Sequence, residues 1–108
     1  MRTIIVPVFN DRISSRLDCT EYFQVVKIDK KEIRSIERIR ILSNNQFEKA
    51  RSLISLKPDA VICNGLTTFY EAEFHKNKIQ VLPWIHGEFE DVVEKFIQGN
   101  YKQNKVMS

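Results

Sequence analysis

The second half of the chain alternates between amphipathic stretches and short apolar runs, and this alternation constrains the fold more than any other feature. Residues 46–56, 67–78 and 88–98 are predicted to be helices, and the apolar runs 60–63 and 79–84 between them are predicted to be strands. The last helix is the clearest, because its apolar residues have the spacing of a core-facing stripe: Phe89, Val92, Val93, Phe96 and Ile97. Strands that alternate with helices predict parallel strands with helices packed on the faces of the sheet.

The first half of the chain is predicted to add strands without helices. Residues 3–9 and 21–28 are short runs rich in β-branched and aromatic residues, and both are typical of strands. The polar residues 10–20 between them are predicted to be a loop.

Residues 33–42 are ambiguous, because isoleucine at every third position suits a helix and the alternation at 38–41 suits a strand. A tight turn at 29–32 favours a strand with a break in register near 35–37. The predicted order is therefore β-β-β-α-β-α-β-α. This order indicates an α/β fold with a five-stranded mixed sheet.

The length of 108 residues predicts one domain. We expect residues 1–100 to form this α/β domain and residues 101–108 to be a polar C-terminal tail. No apolar run approaches the roughly 18 residues of a membrane span, and the N-terminus lacks the features of a signal peptide, so we expect a cytoplasmic protein without a membrane partner. The net charge of +3 comes from scattered Lys and Arg, which favours a solvated surface over a nucleic-acid interface.

Three loops should meet at one edge of the predicted sheet. Strands 3–9, 60–63 and 79–84 are expected to be parallel, and ligands of such sheets bind beyond the carboxyl ends of the strands. The loops at that edge are residues 9–20, 63–68 and 84–88. Two helices begin there, and the free N–H groups of a helix N-terminus favour an anion.

The candidate site residues come from these loops. Six are predicted to hold an anionic cofactor through charge, amide groups or close backbone approach: Arg12, Arg16, Asn64, Gly65, Thr67 and Gly87. Three are predicted as soft metal ligands: Cys19, Cys63 and His86. Several have a plainer alternative, which is a bystander role in a polar loop for Cys19, a buried core position for Cys63, a capping or surface role for His86 and a solvated surface for the arginines.

An enzyme is not predicted. The sequence has no P-loop, no Ser–His–Asp constellation and no paired carboxylates at a strand end. Strand 3–9 carries no carboxylate, so it lacks what a two-metal nuclease needs to hold its ions.

Four segments, taken in order, resemble motifs of a known family. They are VPV at 6–8, RISSRLD at 12–18, PDAVICNGL at 58–66, and IQVLPWI at 79–85 followed by Gly87. Together they extend over nearly the whole chain. On these motifs the chain resembles the dinitrogenase iron–molybdenum cofactor biosynthesis family, the NifX-type domain that is also found at the end of NifB.

The resemblance implies a ribonuclease H-like, three-layer α/β/α sandwich with a five-stranded mixed sheet. It also implies a small non-enzymatic carrier of an iron–sulfur or molybdenum–iron–sulfur cluster, which works with a cluster donor or acceptor protein. Two positions depart from the family pattern: Arg16 stands where cofactor-carrying members have histidine, and Asn64 replaces the first glycine of a pair. Arginine cannot ligate a metal, so Cys19, Cys63 and His86 are the candidate substitutes.

Two functions follow from these observations. The first is a cluster- or metal-binding accessory protein that uses the three soft ligands. The alternative is a metal-free module on the same fold that binds an anion or an acidic partner segment. We expect a monomer or a weak homodimer in either case.

Overall fold

The computed structural model describes residues 1–99, so the predicted tail at 101–108 lies outside the described residues. Six strands and three α-helices follow the predicted order, with one short strand added near the start. They are β1 Arg2–Phe9, β2 Arg12–Ile13, β3 Tyr22–Asp29, β4 Glu32–Arg40, α1 Gln46–Ser55, β5 Ala60–Ile62, α2 Thr68–Lys76, β6 Gln80–Leu82 and α3 Phe89–Ile97.

The sheet is mixed, as predicted. Its strand order is β4-β3-β1-β5-β6. The short strand β2 pairs with β1 and is not part of this order. Strand β1 is antiparallel to β3 and parallel to β5, which is in turn parallel to β6. The three strands expected to be parallel therefore are parallel, and their carboxyl ends share one edge of the sheet.

The prediction of five strands was wrong, because the segment assigned to a loop contains a sixth. Arg12 and Ile13 pair with Phe9 and Val8 after a turn in which Asn10 has a φ of 57°. Two residues are too few to produce a periodic sequence signal, so this strand is set by its neighbours rather than by local preference. The same segment also contains a short 3-10 helix at Leu17–Cys19.

Helices cover both faces of the sheet, which confirms the three-layer α/β/α architecture. Alternate side chains of β1 point to opposite faces: Ile4, Val6 and Val8 pack with α3, whereas Ile5 packs with α1 and α2. All four of these residues are at most 1% exposed. Each contributes roughly 1.5–3 kcal/mol by leaving water, so β1 is the centre of the core. The ribonuclease H-like assignment stays a prediction.

The ambiguous segment is a strand, because β4 pairs with β3 along its whole length. The register breaks where Lys27 pairs with Ser35 and Ile28 pairs with Ile33, slightly before the predicted position. The turn between the strands has Lys30 and Lys31 at φ values of 52° and 65°, the left-handed pair of a two-residue hairpin. No helix among residues 1–99 is long and apolar enough to cross a membrane.

Candidate functional site

The three loops at the carboxyl edge of the sheet are joined by backbone hydrogen bonds. The amide of Leu17 donates to the carbonyl of Gly65 at 2.8 Å, and the amide of Gly65 donates to Ser15 at 2.9 Å. The amide of Trp84 donates to Asn64 at 2.9 Å, which links the second loop to the third. The predicted convergence of residues 9–20, 63–68 and 84–88 is therefore confirmed.

Gly65 is required by the close approach of two of these loops. A Cβ at this position would lie 3.0 Å from the carbonyl oxygen of Ser15 and 3.9 Å from the Trp84 ring. The Ser15 oxygen is backbone and accepts the Gly65 hydrogen bond, so it cannot move away without breaking the link between the loops. The sequence prediction that a glycine allows close approach here is supported, although the group that approaches is the neighbouring loop.

Replacing Gly65 with alanine should therefore destabilise the fold. We expect Gly65→Ala to cost about 1–3 kcal/mol, the usual range for forcing extra atoms into a packed site. Urea unfolding followed by circular dichroism measures it as a lower midpoint. Ser15→Ala is the matched control, because it changes an exposed side chain of the same contact and leaves both backbones alone. A midpoint for Gly65→Ala equal to that of the control would contradict this account.

The 3-10 helix presents a charged pair and a thiol at the surface. The Arg16 guanidinium donates two hydrogen bonds to the Asp18 carboxylate, at 2.8 and 3.2 Å, and this contact raises the pKa of Arg16. The neighbouring Cys19 is exposed, and its thiol contacts the same carboxylate at 3.8 Å. The charge of Arg16 is therefore already balanced by Asp18.

The buried side chain of Lys49 holds the 3-10 helix in place through two hydrogen bonds. The Nζ atom of Lys49, on α1, donates to the carbonyl oxygens of Asp18 at 3.1 Å and of Thr20 at 2.6 Å. Lys49 is only 5% exposed, and burial lowers the pKa of its ammonium group. No carboxylate lies within 4.0 Å of it, since the ion pairs among residues 1–99 involve other cations.

Cys63 lies in the core and not at the loop edge. It follows β5 on the face that packs against α1 and α2, and it is 0% exposed. Burial raises the pKa of the Cys63 thiol to about 12, and the charge of Glu71 adds to this. The structure therefore agrees with the plainer alternative for this residue, and it does not bring the Cys63 sulfur to the surface beside Cys19.

The remaining predicted residues are at the edge but do not surround one point. His86 and Arg12 are exposed, and Arg12 lies 3.9 Å from Glu88. Gly87 has a φ of 125° and accepts a hydrogen bond from Ile13, so its role is in the turn that supports β2. Within residues 1–99, no three His, Cys, Asp or Glu side chains lie close enough together to hold a metal ion.

Two open cavities lie on either side of Cys19. The first, of about 450 Å³, is bounded by the 3-10 helix, residues 41–46 and the start of α2. The second, of about 610 Å³, lies between β1, β2 and Tyr22. Cys19 and the adjacent Thr20 and Glu21 line both. The one exposed thiol among residues 1–99 therefore stands on the ridge between two places where a ligand can sit.

Sequence reasoning missed Lys49 and Tyr70, both of which line the first cavity. A signal for Lys49 was available, because it lies beside Ala50 and one turn before Leu53 on the apolar face of α1. A charged residue on that face is expected to have a specific partner, since buried ammonium groups are rarely left alone. Tyr70 has no comparable signal, because an aromatic residue in a helix usually belongs to the core.

The sequence model of the family described as "Dinitrogenase iron-molybdenum cofactor" matches residues 2–99. This chain belongs to that family. Its members are accessory or carrier proteins in cofactor biosynthesis. A curated relative in sequence is the uncharacterized protein MJ0327 of Methanocaldococcus jannaschii, 29% identical over 92 residues, which are 82% of this chain and 81% of the relative.

Solved structures share the fold of this dinitrogenase cofactor family member. PH0822 superposes with a TM-score of 0.86 at 19% identity over 96% of both chains. MJ0327 superposes with a TM-score of 0.80 at 24% identity, over 96% of this chain and 95% of its own. The apo orange protein of Desulfovibrio gigas superposes with a TM-score of 0.79 at 15% identity, over 97% and 94%. At these identities the likeness concerns the fold alone.

The residues present suit a cluster that is cargo better than one that is resident. A resident cluster needs a closed set of protein ligands, which residues 1–99 do not supply. A single accessible thiol can give one metal–sulfur bond and still allow the cargo to leave. Among its described residues, this family member therefore offers one accessible thiol beside two open cavities.

Proposed function

We propose that this protein is a small non-enzymatic carrier that holds an anionic iron–sulfur or molybdenum–iron–sulfur cluster as cargo at Cys19. The observation that carries the proposal is the exposed thiol of Cys19 on the ridge between two open cavities, at the edge where the three loops meet. Membership of the dinitrogenase iron–molybdenum cofactor family supports the class of cargo.

Cys19 is the proposed protein ligand because a thiolate is a soft donor that suits iron–sulfur chemistry. Cys63 is left out of the ligand set, since its buried thiol would first have to leave the core and lose a proton. His86 is exposed on the third loop and is proposed only as a second donor that a bound cluster could recruit.

Exchange of the cargo follows from the small number of ligands. A cluster held by one sulfur and by hydrogen bonds can pass to another protein by replacement of a single bond. We therefore propose a cluster donor or acceptor protein as the partner. A cytoplasmic location, where both free thiols stay reduced, is part of the proposal.

Anaerobic reconstitution with iron and sulfide, with and without molybdate, tests the proposal. The wild-type protein should retain iron and sulfide after gel filtration, and Cys19→Ser should retain at least about tenfold less, because it loses the only accessible thiolate. Trp84, the single tryptophan, lies over Gly65 and is 69% exposed, so its fluorescence should be quenched by the bound cluster.

Cys63→Ala is the matched control, because it removes the other cysteine and leaves the surface unchanged. It should retain as much iron as the wild type. Equal retention by wild type and Cys19→Ser, or no retention above background by the wild type, would reject the carrier function.

A further inference from the structure

The first cavity holds hydrogen-bond donors that no protein group uses. It has a volume of about 450 Å³ and lies between the N-terminal ends of α1 and α2, below the 3-10 helix. Its lining is largely polar and includes Lys49, Thr67 and Tyr70. A lining of this kind suits a polar or charged ligand better than an apolar one.

Lys49 supplies the positive charge. Two of the three N–H groups of its ammonium donate to Asp18 and Thr20, which leaves one without an oxygen acceptor among residues 1–99. The ammonium also lies 5.7 Å from the centre of the Phe23 ring. The residue is 5% exposed and has no carboxylate within 4.0 Å. The charges of Asp18 and Glu21 act on this ammonium only from beyond that distance, so an anion in direct contact with it would be favoured.

Tyr70 and Thr67 supply two hydroxyl groups. Tyr70 is 2% exposed, and its hydroxyl has no hydrogen-bond partner within the described part of the chain. Tyr70 lines the cavity together with Asp18 and Cys19, and its pKa is raised by burial and by the charges of these two residues. The Thr67 hydroxyl oxygen is buried and is likewise unpartnered among the described residues.

The start of α2 adds backbone donors. Thr67 occupies the N-cap position, but its side chain makes no capping hydrogen bond, so the first amides of α2 are not capped. The start of α1 differs, because the Asn45 side chain already accepts from the amides of Phe47 and Glu48. The available amides are therefore those of α2, whose dipole also favours a negative charge.

Two carboxylates also line the cavity, and their charges act on Lys49 from more than 4.0 Å away. Asp18 is paired with Arg16 at 2.8 Å, and Glu21 is paired with Arg40 at 3.1 Å. Each acid is thus balanced by an arginine that does not line the cavity.

We propose that this cavity binds a tetrahedral oxyanion, with inorganic phosphate as the reference ligand, through the Lys49 ammonium, the Tyr70 and Thr67 hydroxyls and the first amides of α2. The oxyanion is either free or the terminal group of an ester, since the cavity is open to solvent. This site does not depend on the cluster, because none of its donors is a thiol. It gives the metal-free alternative predicted from the sequence a location and a ligand class.

Titration with sodium phosphate, followed by amide proton–nitrogen NMR, tests the proposal. The amide resonances of Thr68, Phe69 and Tyr70 should shift as phosphate is added, and the shifts should saturate. Sodium chloride at the same ionic strength should not produce these shifts. The isosteric double variant Thr67→Val/Tyr70→Phe keeps the packing and removes both hydroxyls. It should weaken phosphate binding by at least about tenfold, as expected for the loss of hydrogen bonds to a charged group.

The control double variant is Thr3→Val/Tyr22→Phe, which removes the same two kinds of hydroxyl outside the cavity lining and away from α2, and it should bind phosphate like the wild type. Cys19→Ser should also bind phosphate normally, which separates this site from the proposed cluster site.

Methyl phosphate distinguishes the two sources of the oxyanion. If methyl phosphate binds as tightly as phosphate, the ligand is an ester; if it binds more weakly, the ligand is the free anion. Phosphate shifts no larger than those with chloride, or equal affinity of the two double variants, would overturn the proposal.

Discussion

Only one of the two cysteines of the native protein should react with a thiol reagent near neutral pH. Cys19 is exposed, whereas Cys63 is 0% exposed and its pKa is raised to about 12 by burial. A reagent reaches Cys63 only when the core opens, and folded proteins spend about one part in 10³ or less of their time unfolded. Cys63 should therefore react at least about a thousandfold more slowly than Cys19.

Ellman's reagent measures this difference directly. The native protein should release one equivalent of chromophore rapidly, and two equivalents in guanidinium chloride. Cys19→Ser should release none while folded, and Cys63→Ala should release one. Two rapid equivalents from the native wild type would mean that Cys63 reaches the surface. A metal site shared with Cys19 would then have to be considered again.

Removing the Phe74 ring should have the largest effect on stability. Phe74 lies on α2, is 0% exposed and packs with the sheet and with Tyr70, whose ring centre is 6.3 Å away. Phe74→Ala should cost about 3–5 kcal/mol, because a cavity remains where the ring was. Since domains of this size are stable by only about 5–15 kcal/mol, thermal unfolding should begin more than about 10 °C lower.

Phe47→Ala is the matched control on α1. Phe47 is 59% exposed and makes an edge contact with Phe69 at 4.9 Å, so its removal should cost about 1 kcal/mol or less. Differential scanning calorimetry compares the two variants. An equal loss of stability in both would show that α2 is not anchored to the sheet through Phe74.

Part of the candidate site follows from general rules of α/β folds. The parallel strands β1, β5 and β6 were indicated by apolar runs alternating with helices, and their carboxyl ends share an edge in any such sheet. The meeting of the loops around Gly65 therefore needed no knowledge of side-chain packing. Strand β2 could not be predicted in this way, because two residues carry too little local preference.

Which of the two cysteines is exposed and which is buried could not be predicted from their positions in the loops. Cys63 and Val61 both point to the face covered by α1 and α2, because side chains alternate along a strand. The sequence places Cys63 at the end of a strand, where either burial or exposure is common, and only the packing of α2 over that end decides between them. Cys19 is exposed because the 3-10 helix turns its thiol away from the core, which receives Leu17 instead.

The sequence by itself determined the α/β class, the order of the main elements, the parallel strands and the edge where the loops meet. These depend on hydrophobic periodicity and chain order, which are local or nearly local properties. Only the tertiary structure decided which thiol is accessible and that Lys49, Thr67 and Tyr70 face one cavity. Those facts depend on how residues far apart in the chain pack together and exclude water. The spacing of residues along the sequence does not indicate this kind of burial.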